Sequence, residues 1–168
     1  MSAATGPLTA RGRSEPLSLL AGLSFTAAGA AAAVWNATER LAHGWWLVSF
    51  LVLVGGVAQL LFGAGRAALG PAALGITAAW WDLRAQAALW NAGTPLVALG
   101  VMAGARLAVV TGTALLLCAL AAMGAELRAR RNVVQRGRAW QGAYVALLVF
   151  LATSALVGAA LAWDLAWV

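Results

Sequence analysis

The chain has no lysine, one histidine, one cysteine and five acidic residues among its 168. Without lysine there is no Schiff-base chemistry and no lysine-bearing phosphate loop. The single cysteine, Cys118, excludes an intrachain disulfide and any cysteine-based metal cluster. His43 and a few scattered carboxylates do not supply the three or four convergent ligands of a zinc or two-metal site, so no metal ligands are assigned. Hydrolase elbows, Walker motifs and glycine-rich dinucleotide loops are also missing. The sequence therefore points away from an enzyme, and no catalytic residue is assigned.

Charge is scarce as well, at 10% of residues, against 63% hydrophobic and a mean hydropathy of +0.86. Water could not cover such a surface; a bilayer can. Five windows contain no Asp, Glu, Lys or Arg: 16–38, 41–65, 85–105, 107–125 and 139–163. Each is long enough to cross ~30 Å of hydrocarbon as a helix rising about 1.5 Å per residue. In hydrocarbon the backbone must satisfy itself, which leaves helices or a closed barrel. Runs such as Leu47-Val48-Ser49-Phe50-Leu51-Val52-Leu53-Val54 do not alternate as barrel strands do. The expected fold is an all-α, polytopic bundle with spans at about 17–37, 43–65, 86–105, 107–125 and 139–162. These form one transmembrane domain, 17–163, preceded by a polar segment, 1–16, and followed by a short tail, 164–168.

The eleven arginines lie between the windows. Arg11, Arg13, Arg66, Arg84, Arg128, Arg130, Arg131, Arg136 and Arg138 fall on one predicted side, Arg40 and Arg106 on the other. The positive-inside rule then predicts an inner-membrane protein with a cytoplasmic N-terminus and an extracytoplasmic C-terminus. The net charge of +6 reads as orientation signal and contact with anionic lipid, not as a nucleic-acid surface.

Residues 67–84 hold too short an apolar run to span. Gly70-Pro71 breaks a helix, and Pro71 suits the first turn of the next. The reading adopted is a short interfacial helix near 71–84, with one long tilted helix from 71 to 105 as its rival. Trp35, Trp45, Trp46, Trp163 and Trp167 cluster at the predicted outer face and Trp80, Trp81 and Trp140 at the inner, as belt residues do. Only Trp90 falls inside a span. Packing faces are offered by the small residues of 27–33, by Gly100-x-x-x-Gly104 and by Ser154-x-x-x-Gly158-x-x-x-Ala162, within one bundle, a homo-oligomer or a larger membrane complex.

Four polar residues share one depth. Gln59 lies seven residues before Arg66, Asn91 seven after Arg84, Tyr144 six after Arg138 and Cys118 eight before Glu126. At about 1.5 Å per residue, each is roughly 9 to 12 Å from the inner rim. Amide side chains in lipid require partners, so Gln59 and Asn91 are expected to face inward, toward each other, water or a ligand. In Trp90-Asn91-Ala92-Gly93-Thr94-Pro95, Pro95 takes the helical donor from the Asn91 carbonyl and bends the span, as in midplane sites of transporters. Gln59, Asn91, Thr94, Tyr144 and Cys118 are thus the substrate or pore candidates. His43, four residues after Glu39, is a proton-relay candidate through an i, i+4 contact. It is also a candidate axial haem ligand opposite Met102. No cofactor is predicted beyond this minor possibility.

Gly55-Gly56-Val57-Ala58-Gln59, followed by Gly63, resembles the Gly-Gly-x-Ala-Gln stretch of the acetate and succinate uptake transporter family. The match covers nine residues. That family has six spans and opens its first on Asn-Pro-Ala-Pro-Leu, where this chain has Glu15-Pro16-Leu17. The resemblance implies an oligomeric helical channel and makes Gln59 a residue to test. The function expected is a channel or transporter-like protein for a small polar or weakly acidic solute. Alternatives are a non-catalytic subunit or assembly factor of a larger membrane complex, and a haem- or quinone-binding protein of an electron-transfer chain.

Overall fold

A computed structural model describes residues 14–41, 43–69, 79–129 and 138–165. Among these the chain is helical throughout apart from tight connections, as a bilayer requires of exposed backbone. Helix α1 spans Ser14–Glu39. The second rod is composite: α2 (Gly44–Phe50), a π-helical segment (Leu51–Val57) and α3 (Ala58–Leu69). The rods α4 (Ala79–Met102), α5 (Arg106–Ala129) and α6 (Arg138–Leu165) complete the bundle. The second rod (Gly44–Gly65 in its apolar part), α1 and α5 are long and apolar enough to cross a membrane, and α6 carries a shorter apolar stretch, Gly142–Val157. The protein is a helical membrane bundle.

Its surface supports that conclusion. Leu107 is 83% exposed, and Val34, Leu99 and Phe150 about two-thirds. In water such side chains would cost free energy in proportion to their area, whereas hydrocarbon accepts them.

The five rods overlie the five charge-free windows; the first, fourth and fifth overrun theirs at both ends, whereas the second and third are shifted along theirs by several residues. The segment expected as an interfacial helix behaves differently. From Ala79 onward it is continuous with the third rod, because no proline or glycine interrupts Ala79-Trp80-Trp81-Asp82-Leu83-Arg84. Residues 70–78 lie outside the described residues, as do the N-terminal segment 1–13, the arginine-rich 130–137 loop and residues 166–168. The side chains of Trp80, Trp81, Trp140 and Trp163 lie outside them too.

Helices α4 and α5 form the most extensive pairing. A methyl added at Gly93 would meet the Gly112 carbonyl oxygen at 2.9 Å, and one at Gly112 would meet the Val97 backbone nitrogen at 2.8 Å. Only glycine permits this approach. The hairpin closes through a Schellman motif, in which Ala105 N–H donates to Gly100 O (2.8 Å) and Gly104 N–H to Val101 O (3.2 Å). Gly104, at φ +63°, is the left-handed cap. Of the expected Gly100/Gly104 packing face, only Gly100 packs, against Ala108 and Val109; open space surrounds Gly104.

The buried centre lies among α3, α4, α5 and α6, around Phe62, Trp90, Leu116, Leu120 and Tyr144. Helix α1 packs on the other side of the composite rod. Gly29 admits Val52, and the Phe25 ring lies over Gly55.

Candidate functional site

The site is built on two irregular pieces of backbone. In the π-helical segment Ala58 N–H bonds Leu53 O, five residues back rather than four. Each turn is wider by a residue, and buried Gly55 and Gly56 allow α1 to close against it. The second piece is Pro95 inside α4, which has no N–H to give the Asn91 carbonyl. Helix α4 nevertheless runs unbroken from Ala79 to Met102.

Gln59 and Asn91 meet between these pieces. Gln59 Nε2 donates to Asn91 Oδ1 at 3.1 Å and to Gly55 O at 3.0 Å. Asn91 Nδ2 donates to Ala87 O at 2.8 Å and, at a long 3.5 Å, to Gln59 Oε1. All four amide N–H groups are therefore engaged, in a reciprocal clamp between α3 and α4. Gln59 is 5% exposed and Asn91 half-buried. Of the partners expected for these amides, they have taken each other.

Neighbouring residues lock the clamp. Trp90 Nε1 donates to Val54 O at 3.1 Å, pinning α4 to the π-helical turn. Its ring meets Phe62 edge-on at a centroid distance of 4.9 Å, and Phe62 meets Tyr144 in the same manner at 6.5 Å. Tyr144 also lies over Gly65, where a side chain would strike its ring. Thr94, fully buried, donates to Trp90 O at 2.9 Å. Gln59, Asn91, Thr94 and Tyr144 thus belong to one neighbourhood, with Tyr144 joined to it through Phe62. Cys118 does not join them: it is exposed on α5, while Leu116, Ala119 and Leu120 face the core.

Compared with known protein families, curated proteins and solved structures, the chain matches none.

At the opposite end, His43 precedes α2 and makes no side-chain capping bond. The expected contact with Glu39 through i, i+4 spacing does not form. Helix α1 ends at Glu39, and Arg40 turns the chain at φ +49°, so the two residues do not share a helix. Met102 packs against the cluster of Ala32, Leu47 and Ala98. Trp45 is exposed and Trp35 largely so, as belt residues are, whereas Trp46 turns inward and stacks on Phe50 at 5.0 Å.

Several residues given no site role by the sequence emerge here. Asn36 is buried and leans over Gly44, which has no side chain to oppose it. Gln86, also buried, lies one turn before Trp90 on α4. A cavity of about 160 Å³ is lined by Trp46, Phe50 and Trp90 together with Ser49, Thr113 and Ser154. Counting at about 1.5 Å per residue from Arg40, Arg106 and Asp164 puts these three hydroxyls within roughly 10 to 15 Å of one rim. Their shared depth from that rim is the signal in the sequence that groups them.

Proposed function

We propose that this membrane protein is channel or transporter-like, passing a small polar or weakly acidic solute, and that the Gln59–Asn91 pair is its closed constriction. The observation that carries the reading is the meeting of two irregular backbones at one cross-helix amide pair. The π-helical turn bears Gln59 just beyond its end, and the proline-containing helix bears Asn91 one turn before Pro95. Irregular backbone is tolerated at membrane depth where it is buried in protein or lines a water-filled passage, and in transporters such pieces flank the solute site. Amides offer a solute both donors and acceptors once they part from each other. No intramembrane carboxylate is required for passive movement down a gradient. In this reading the arginine-rich loop and the N-terminus are cytoplasmic, and the arginines contact anionic lipid.

The test is solute-driven swelling of proteoliposomes, with acetate and glycerol as probes. Wild-type protein should show flux above that of empty liposomes. Gln59→Ala and Asn91→Ala should each change it severalfold, upward if the pair is the barrier and downward if it conducts the solute. A real flux that both variants leave untouched would remove the constriction from this site.

A second reading, a subunit of a homo-oligomer or of a larger membrane complex, draws on α1. Its Ala27, Ala28, Ala30 and Ala31 are exposed, leaving a side where another helix can approach closely. Stoichiometric partners retained in mild detergent would favour it, and a monodisperse monomer would count against it.

A further inference from the structure

Hydroxyl side chains in membrane helices ordinarily satisfy themselves by bonding a carbonyl one turn back. Ser24, Thr26, Thr94 and Thr153 do so here, donating to Leu20, Gly22, Trp90 and Val149 at 2.8 to 2.9 Å. Thr38 does the same with Trp35, at 2.8 Å. Ser49, Thr113 and Ser154 make no such bond, and all three line the same cavity. They come from three different rods: α2, α5 and α6. Thr113 is only 8% exposed, so its unpaired hydroxyl carries a desolvation cost that a partner inside the cavity would offset.

The rest of the lining describes that partner. Trp46 and Phe50 stack with their planes 13° apart, making a flat aromatic wall, and Trp90 contributes another ring whose N–H is already given to Val54. Among the described residues, no ionisable side chain lines the space. Its volume of about 160 Å³ is close to that of the engineered protein cavity of about 150 Å³ that accepts benzene. Exposed Ser49 and Leu53 stand at its rim, on the side an occupant would enter from the bilayer.

We infer that this cavity is a binding site for a neutral, single-ring molecule bearing one or two hydrogen-bonding oxygens, of the phenol or quinone headgroup class. The ring lies against Trp46, Phe50 and Trp90, and the oxygens engage Thr113 with Ser49 or Ser154. A lipid tail would fill the volume and leave every hydroxyl unpaired. An ion would lose its hydration with no countercharge to replace it. Trp90 borders both this site and the amide pair, but the hydroxyls belong to this site alone, and it stands whether or not a solute passes at the pair.

The test uses the full chain in lipid nanodiscs, titrated with 4-fluorophenol and followed by fluorine NMR, with partition into empty nanodiscs subtracted. Saturable binding is expected. Thr113→Val, which keeps the shape and removes the hydroxyl, should weaken it about tenfold. Fluorobenzene should bind wild-type protein at least as much more weakly. Thr153→Val, whose hydroxyl is tied to Val149 outside the cavity, should leave affinity unchanged. Ala155→Phe should fill the space and abolish binding, and if that variant does not fold, Thr113→Val still decides. Absence of saturable binding, equal affinity for fluorobenzene, or an unaltered Thr113→Val would each overturn the assignment.

Discussion

The molecule contains two polar layers, one toward each end of the bundle, and they are finished differently. In the Gln59–Asn91 layer every amide hydrogen is spent on another group of the same chain, and the surrounding rings close over it. In the Ser49–Thr113–Ser154 layer the hydroxyls are unspent and face a space. Burial alone does not separate the two, since Gln59 and Thr113 are each less than a tenth exposed. Bonding does. A satisfied buried network holds helices in register, while an unsatisfied one costs free energy until something enters it. The first layer is therefore the mechanical joint of the bundle, and opening it means breaking bonds. The second is preformed for an occupant.

Trp90 is the residue the two layers share, since it bonds the π-helical turn and walls the cavity. Trp90→Ala should have the largest effect, a loss of about 3–5 kcal/mol in reversible unfolding in mixed micelles, because it removes a buried ring and the tie to Val54 together. A loss below about 1 kcal/mol would mean the layers are not joined there. Asn91→Ala is next. It strands the Gln59 amide in a low-dielectric interior and should cost about 1–3 kcal/mol in the same measurement. A double-mutant cycle on Gln59 and Asn91 should return a coupling of about 0.6 kcal/mol, the usual worth of a polar contact between membrane helices. Zero coupling would show that the clamp is geometry without energy. Smallest of all, Thr113→Val should move stability by less than about 0.5 kcal/mol, or raise it, since no bond is lost. If it destabilised the protein as much as Asn91→Ala does, the contrast between the layers would fail.

How much of this was legible beforehand depends on whether the quantity runs along the helix axis or around it. Depth runs along the axis, so counting from Arg66 and Arg84 put Gln59 and Asn91 at one level, and they do meet. The same count placed Cys118 level with them, yet it faces outward. Spans that are apolar on every side carry no marker of which face turns inward, so Cys118 and Thr113 on one helix could not be told apart by facing. The i, i+4 spacing of Glu39 and His43 suggested a contact, but it presumes a continuous helix, and Arg40 ends it. Gly100-x-x-x-Gly104 reads as a packing motif by spacing alone. Only the reversal of the chain after Met102 shows that its second glycine is a cap.

By itself, the sequence determined that the chain is a membrane bundle, roughly where its rods lie, and that Gln59 and Asn91 sit at one level of it. All of these follow from the refusal of hydrocarbon to solvate charge or bare backbone. Tertiary structure alone decided the π-helical turn at Gly55-Gly56, the reciprocal bonding of Gln59 with Asn91, and the convergence of three unbonded hydroxyls on one cavity. These depend on how each helix is rotated about its own axis against its neighbours. That rotation is settled by packing contacts between residues distant in the chain.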